Sequence, residues 1–224
     1  MLVIEFCNVK LGYIKEFYAL YNLNLKVENS EKVAIVGGQD DGKTSFLRIL
    51  AKLEDATSGE VYYNNVPLDV IDYSTELSVG YIATRPILLN ASVRKNLEYV
   101  LKNRKIKKED REAIIEKTLE DFGLLTSAKV KTKRLSLYQK RLLQFAMLSV
   151  RPKIDLLLVD DILKDMTESE YLNIKDILKS FMKKETTVFF ATTILEDAKE
   201  LCDKIVYLKL GAIDKIEINK LKIK

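Results

Sequence analysis

The chain of 224 residues contains no histidine. Any mechanism that needs an imidazole base, a histidine switch or a histidine metal ligand is excluded. Its two cysteines, Cys7 and Cys202, are too few for a disulfide framework and point to a reducing cytosol. No run approaches the ~18 consecutive apolar residues that a membrane span needs. The longest wholly apolar stretches, such as Leu156 to Val159, have the length of short strands. Met1-Leu-Val-Ile-Glu5 meets a carboxylate before an apolar core can form, so no secretory leader is expected. Glycine is scarce. Of eight, three are Gly37, Gly38 and Gly42, and none lies between Gly123 and Gly211.

What remains is globular. An apolar fraction of 47% with 31% charged residues rules out a disordered chain. The length gives one to two domains, and without a repeat, low-complexity tract or flexible linker we read one unit with two lobes over residues 1–224. The net charge of +4 hides an asymmetry: from Arg94 to Arg151, sixteen Lys and Arg stand against seven Asp and Glu, while the rest of the chain holds 21 against 26. The basic middle third is a solvated helical surface or a face for lipid headgroups, an acidic partner or nucleic acid.

Val3 to Val9 and Leu23 to Val27 read as strands, with Tyr13 in the turn region between them. Lys32 to Val36 is a short apolar strand ending at Gly37-Gly38. Lys43 to Leu53 has helical period, with Phe46, Leu47, Leu50 and Leu53 on one side. Ser58-Gly59 is a turn before a strand at 60–63, and Val79 to Ala83 is another strand. Ser92, a plausible N-cap, opens a helical region to Leu125, and Leu137 to Val150 is a further helix. After Pro152 come strand 155–160, helix 168–183, strand 187–192, helix 195–202 and strand 204–209. Such alternation predicts an α/β fold with a mostly parallel sheet covered on both faces, into which a helical segment of about 85–153 is inserted.

Gly37-Gly-Gln-Asp-Asp-Gly-Lys-Thr44 satisfies G-x-x-x-x-G-K-[ST] at every required position. The glycines allow successive N–H groups to face phosphate oxygens, and the following helix adds the positive end of its dipole. Lys43 would reach the β- and γ-phosphates, and the Thr44 hydroxyl would ligate Mg²⁺. Such a loop needs a carboxylate at the end of another apolar strand. Asp155-Leu-Leu-Leu-Val-Asp-Asp161 supplies Asp160 for the metal side, with Asp161 where a general base could sit. The chain is expected to bind ATP with Mg²⁺.

With these motifs placed, nearly the whole chain resembles the nucleotide-binding subunit of an ABC transporter. Tyr13 in Leu11-Gly-Tyr-Ile14 matches the family's adenine-stacking aromatic, and Thr57 to Tyr62 resembles the strand after the first helix. Val79 to Leu89 resembles the stretch carrying the Q-loop glutamine, Arg134 to Arg141 aligns with the LSGGQ signature, and Thr187 to Ala198 resembles the switch-histidine segment. The resemblance implies a P-loop core with an N-terminal antiparallel β-subdomain and an inserted helical subdomain. It implies nucleotide contacts from Tyr13, Gly37, Gly38, Gln39, Asp40, Asp41, Gly42, Lys43, Thr44 and Ser45. Ser136 would face a nucleotide held by a second subunit, and Mg²⁺ would be held by Thr44 and Asp160. Catalytic positions fall at Asp161, Thr193 and Thr84.

The departures carry as much weight. Thr84 stands at the Q-loop glutamine, Leu137 and Tyr138 at the signature glycines, Asp161 at the catalytic glutamate, Met166-Thr167 at the D-loop Leu-Asp, and Thr193 at the switch histidine. Asp40 and Asp41 place two carboxylates near a polyanion, which should weaken triphosphate binding unless they point outward or pair with lysine. The expected role is an ATP-binding subunit that powers or gates an integral membrane permease on the inner face of the cell membrane. It would act as a homodimer or beside a second nucleotide-binding subunit, with slow hydrolysis. An alternative is a non-catalytic regulatory or assembly subunit using ATP as a structural ligand. A nucleic-acid or translation factor of the wider class is a third reading. Such factors carry two nucleotide domains or a long coiled-coil insertion, for which 224 residues leave no room, so nucleic acid is not an expected partner.

Overall fold

A computed structural model describes residues 3–14, 17–73 and 75–219. Strands β1 (Ile4–Ile14), β2 (Phe17–Val27), β4 (Ser58–Tyr63) and β5 (Val66–Pro67) form an antiparallel sheet in the order β2-β1-β4-β5. A second sheet runs β10-β9-β3-β8-β7-β6, from β3 (Lys32–Val36), β6 (Val79–Ile82), β7 (Leu156–Asp160), β8 (Thr187–Thr192), β9 (Lys204–Lys209) and β10 (Ala212–Ile218). It is parallel from β9 through β6, and only β10 is antiparallel to its neighbour. The central strands are continuous apolar runs because both faces are covered; every residue of β7 and of β8 is buried.

The period of two sorts these strands. Ile35, Leu156, Leu158, Phe189, Ala191, Val206 and Leu208 join one core with Ile4, Phe6, Val9 and Leu11 of β1. Helix α1 (Lys43–Leu50) contributes Phe46, Leu47 and Leu50 to that core. The Phe46 ring stacks on Phe6 with centroids 4.5 Å apart and lies 5.6 Å from Phe189. Phe46→Ala is therefore expected to cost about 3–5 kcal/mol, read from the denaturant midpoint of unfolding.

Two expectations are corrected here. Tyr13 lies within β1, not in a turn, because β1 and β2 are eleven residues each. Left-handed backbone at Asn8 and Asn22 and repeated register shifts break the period of two, so the alternation stops short of the strands' ends. Helix α1 also stops at Leu50 rather than Leu53. Lys52 turns left-handed (φ 53°) and the Leu53 N–H closes onto Arg48 O at 2.8 Å, leaving Leu53 half-exposed.

The chain divides into two compact units: residues 1–84, 154–162 and 178–224 hold both sheets, and residues 85–153 and 163–177 form the other. The second contains α2 (Val93–Asn103), α3 (Lys108–Asp121), α4 (Leu137–Ser149) and the first part of α5 (Glu168–Phe181). Ser92 caps α2, its Oγ accepting the Lys95 N–H at 3.3 Å. Asn96, fully buried, accepts the Leu89 N–H at 2.8 Å and donates to Leu89 O and Ser92 O. The Thr132 hydroxyl donates to the same Leu89 carbonyl at 2.8 Å, so the Leu89 backbone is held by both side chains.

Candidate nucleotide site

The parallel strands end along one edge of their sheet, and four loops meet there. Val36 of β3 pairs with Thr192 of β8, Asp160 of β7 with Ala191, and Ile82 of β6 with Val159. Gly37, Asp161, Thr193 and Ala83-Thr84 therefore follow directly from neighbouring strand ends. Such an edge is the usual ligand crevice of open α/β sheets.

The loop after β3 is shaped by close backbone approach. Gly42 has φ 93°, and a Cβ there would meet Ala19 O at 2.3 Å; a Cβ on Gly37 would meet Leu208 O at 2.7 Å. No side chain caps α1, whose N-cap is Gly42, so the helix start is open to an anion. Lys43 is 6% exposed, and its ammonium donates to Gly37 O at 3.0 Å and to Gly38 O. Gln39 and Asp40 are exposed, and Asp40 sits at φ 62°, a conformation aspartate tolerates better than most residues.

Asp41 is turned into the loop's own frame. One carboxylate oxygen accepts the Gly38 N–H at 2.6 Å, the other the Leu210 N–H at 2.9 Å. These bonds, the Leu210 one foremost, with the charge of Lys43, hold its pKa below the ordinary 3.8. Because the folded-state value is depressed, this brace persists through neutral pH and is released only in acid below the usual aspartate range. The carboxylate is thus occupied by two backbone donors.

The Thr44 hydroxyl donates to Asp160 at 3.0 Å from one oxygen and 3.1 Å from the other. Asp160 is buried, the Tyr81 hydroxyl reaches the same carboxylate at 3.3 Å, and the Thr84 hydroxyl donates to its backbone oxygen at 2.7 Å. Burial first, then the Asp160 charge, pushes the Tyr81 phenol up, so it stays a donor. Threonine hydroxyl and carboxylate are hard oxygen donors, and Mg²⁺ takes one or two such groups with substrate phosphates completing its shell. The residues present fit that ion.

Asp161, 8% exposed, has left-handed backbone (φ 48°) and its N–H bonds Ala191 O at 2.9 Å. Thr193 is exposed in the turn after β8, where the Thr192 hydroxyl accepts the Ile194 N–H at 3.0 Å. Tyr13, 56% exposed, brings its hydroxyl to 3.0 Å from Ser45 Oγ. Ser136 lies in the second unit as N-cap of α4, with a reciprocal capping box to Gln139, and Tyr138 accepts a hydrogen bond from Asn173. Tyr81, Glu54 and Arg48 escaped the sequence reading. The only signal for Tyr81 is its place on the strand next to β7, which no motif marks.

A phosphate loop closing one parallel strand, with its threonine paired to the carboxylate that ends another, defines a P-loop nucleotide-binding core. Residues 20–164 match the sequence model of the family described as ABC transporter, and the chain belongs to that family. The sn-glycerol-3-phosphate import ATP-binding protein UgpC of Bartonella bacilliformis is 32% identical over 223 residues, covering 96% of this chain and 63% of that one. The phosphate import ATP-binding protein PstB 1 of Lactobacillus acidophilus is 27% identical over 212 residues, covering 89% and 78%. The chain spans about three fifths of the glycerol-3-phosphate relatives. Among solved structures, the dimeric ATP-binding cassette MJ0796 bound to ADP and Pi superposes with a TM-score of 0.82 at 24% identity, covering 97% of this chain and 99% of that one. A second dimeric structure of MJ0796, a bacterial ABC transporter cassette, gives the same TM-score at 25% identity and the same coverage. The fold is that of an ABC ATPase cassette.

Proposed function

We propose that this chain binds Mg-ATP at the Gly37–Thr44 loop and powers or gates an integral membrane permease at the cytoplasmic face. It does so as a homodimer or beside a second nucleotide-binding subunit, and hydrolyses ATP slowly. The observation that carries the reading is the Thr44–Asp160 pair at 3.0 and 3.1 Å, next to a buried Lys43. Lys43 would exchange the Gly37 and Gly38 carbonyls for β- and γ-phosphate oxygens, and the N–H groups at the start of α1, from Gly42 to Ser45, would take the rest. Mg²⁺, when bound, would neutralise charge on those phosphates. Thr84 and Tyr81 hold Asp160 in place for the ion, Tyr13 offers a face for adenine, and Ser136 would face the nucleotide of a second subunit.

The names of the relatives, import ATP-binding proteins, favour a transporter role for this chain as well. In the second unit Ile87 is 68% exposed and Leu89 40%, and the Leu89 backbone is held by Asn96 and Thr132. An exposed apolar pair of this kind suits contact with a permease. No described helix is long and apolar enough to cross a membrane.

Magnesium dependence tests the core of the reading. Chelating Mg²⁺ should weaken ATP binding to the wild type at least about tenfold, given ~1.4 kcal/mol per decade. Asp160→Asn should bind ATP with little response to Mg²⁺. Calorimetric titration decides, and a wild-type affinity indifferent to Mg²⁺ would remove Thr44 and Asp160 as ion-holding groups.

A further inference from the structure

Tyr13 combines an exposed ring with a fastened hydroxyl. The hydroxyl donates to Glu54 Oε2 at 2.8 Å and lies 3.0 Å from Ser45 Oγ. Glu54 is itself held: its other oxygen is 3.0 Å from Arg48 Nη1, and its side chain is 15% exposed. Arg48 and Ser45 belong to α1, and Glu54 lies just beyond its end. Burial, with the Glu54 hydrogen bond and charge in support, raises the phenol pKa above its ordinary 10.0, so the proton stays available for donation. One end of the ring is thus bolted to the helix that follows the phosphate loop, while most of the side chain remains open to solvent.

A mobile surface tyrosine loses rotamer freedom when a ligand stacks on it, and a ring fixed beforehand avoids that loss. We propose that Glu54 and Ser45 are positioning residues for Tyr13, holding its ring as a preset shelf for the purine base of the nucleotide. Ser45 directly follows Thr44, so the shelf is anchored beside the phosphate loop. The inference rests on the reading that the base stacks on Tyr13, and the experiment separates the two.

Affinities for Mg-ATP and for inorganic tripolyphosphate, which has no base, are measured by calorimetry on the whole chain. Tyr13→Ala removes the shelf and should weaken ATP about tenfold, the scale of one base–aromatic stack. Tyr13→Phe keeps the ring but loses both hydrogen bonds and should weaken ATP about threefold to tenfold. Glu54→Ala should match Tyr13→Phe, and Glu54→Gln, which still offers an acceptor, should recover most of the loss. Tripolyphosphate affinity should be unchanged in all four, whereas a merely structural role for Glu54 would lower both ligands together and overturn the proposal. If Tyr13→Ala weakens ATP while Tyr13→Phe and Glu54→Ala bind like wild type, the ring suffices unaided and the lock is wrong. Tighter binding by Tyr13→Phe would show the lock competing with nucleotide, which also overturns it. If Tyr13→Ala leaves ATP binding intact, the base lies elsewhere and the underlying reading falls with the inference.

Discussion

Lys43→Ala is expected to lower the affinity for Mg-ATP at least about hundredfold, the scale of losing one buried, charge-assisted phosphate contact. Lys43 is the cation at the mouth of α1, and with 6% exposure it is shielded from solvent screening. Its bonds to the carbonyls of Gly37 and Gly38 can be exchanged for bonds to charged phosphate oxygens. Without Lys43 the loop keeps the exposed Asp40 carboxylate and offers the triphosphate no cation of its own, Asp41 being held by the Gly38 and Leu210 N–H groups. Lys43→Arg should recover only part of the affinity, because a planar fork does not replace a compact point charge in so tight a turn. Tripolyphosphate should lose affinity in parallel with ATP, which distinguishes this site from the base shelf at Tyr13. Equilibrium titration with a fluorescent ATP analogue measures the loss. Unchanged affinity in Lys43→Ala would remove nucleotide binding at this loop, and a ligand-free melting curve guards against simple unfolding.

Much of this architecture was legible in the residues, and the exceptions have physical causes. Strands 32–36, 187–192 and 204–209 stand where the apolar runs predict them, because strands buried on both faces tolerate little else. The ends of β1 and β2 were not legible. Their exposed residues, Tyr13, Ile14, Phe17 and Tyr18, read like turn and surface chemistry, and bulges shift the face on which each lies. β10, after the strand at 204–209, was not legible because its residues are mostly exposed and antiparallel pairing to β9 supports it. At the site, the Gly37–Thr44 motif announces itself because close backbone approach demands glycine. The partners Tyr81 and Glu54 do not, since only strand order and the end of α1 bring them to Asp160 and Tyr13. Asp41 was expected to oppose phosphate unless turned away or paired with lysine; backbone donors from two loops now account for its carboxylate.

Turnover by the wild type should be slow, limited by the groups around the γ-phosphate rather than by ATP binding. Aspartate is one C–C bond, about 1.5 Å, shorter than glutamate, and Asp161 has little freedom to compensate. Its backbone is fixed at φ 48° and its N–H is tied to Ala191 O, so the carboxylate reaches only as far as that anchor allows. General-base help of about 10²–10⁴-fold is what such a shortfall puts at stake. Thr193, exposed after β8, can donate a hydrogen bond but cannot carry a positive charge. Asp161→Glu with Thr193→His should therefore raise the steady-state rate at least about tenfold, a cautious share of that range. Glutamate is less at ease than aspartate at positive φ, so the double variant should also lose about 1 kcal/mol of stability, which a denaturant curve would register. Because the chain has no other histidine, the rate gain should bring a new titration near pH ~6.5, absent from the wild type. Tyr138, tied to Asn173 in the second unit, stands where the resemblance puts a signature glycine; on that reading Tyr138→Gly should strengthen ATP-driven dimerisation by letting backbone approach phosphate. Pairing with a more regular subunit would not fully escape the defect, since this chain's Ser136–Tyr138 segment would still serve the partner's nucleotide. Single-turnover assays separate slow chemistry from none, and hence a sluggish ATPase from a subunit that uses ATP only as a structural ligand. An isolated wild type turning over near the ~10 s⁻¹ median of enzymes would show that Asp161 and Thr193 suffice, and the impaired reading would be wrong.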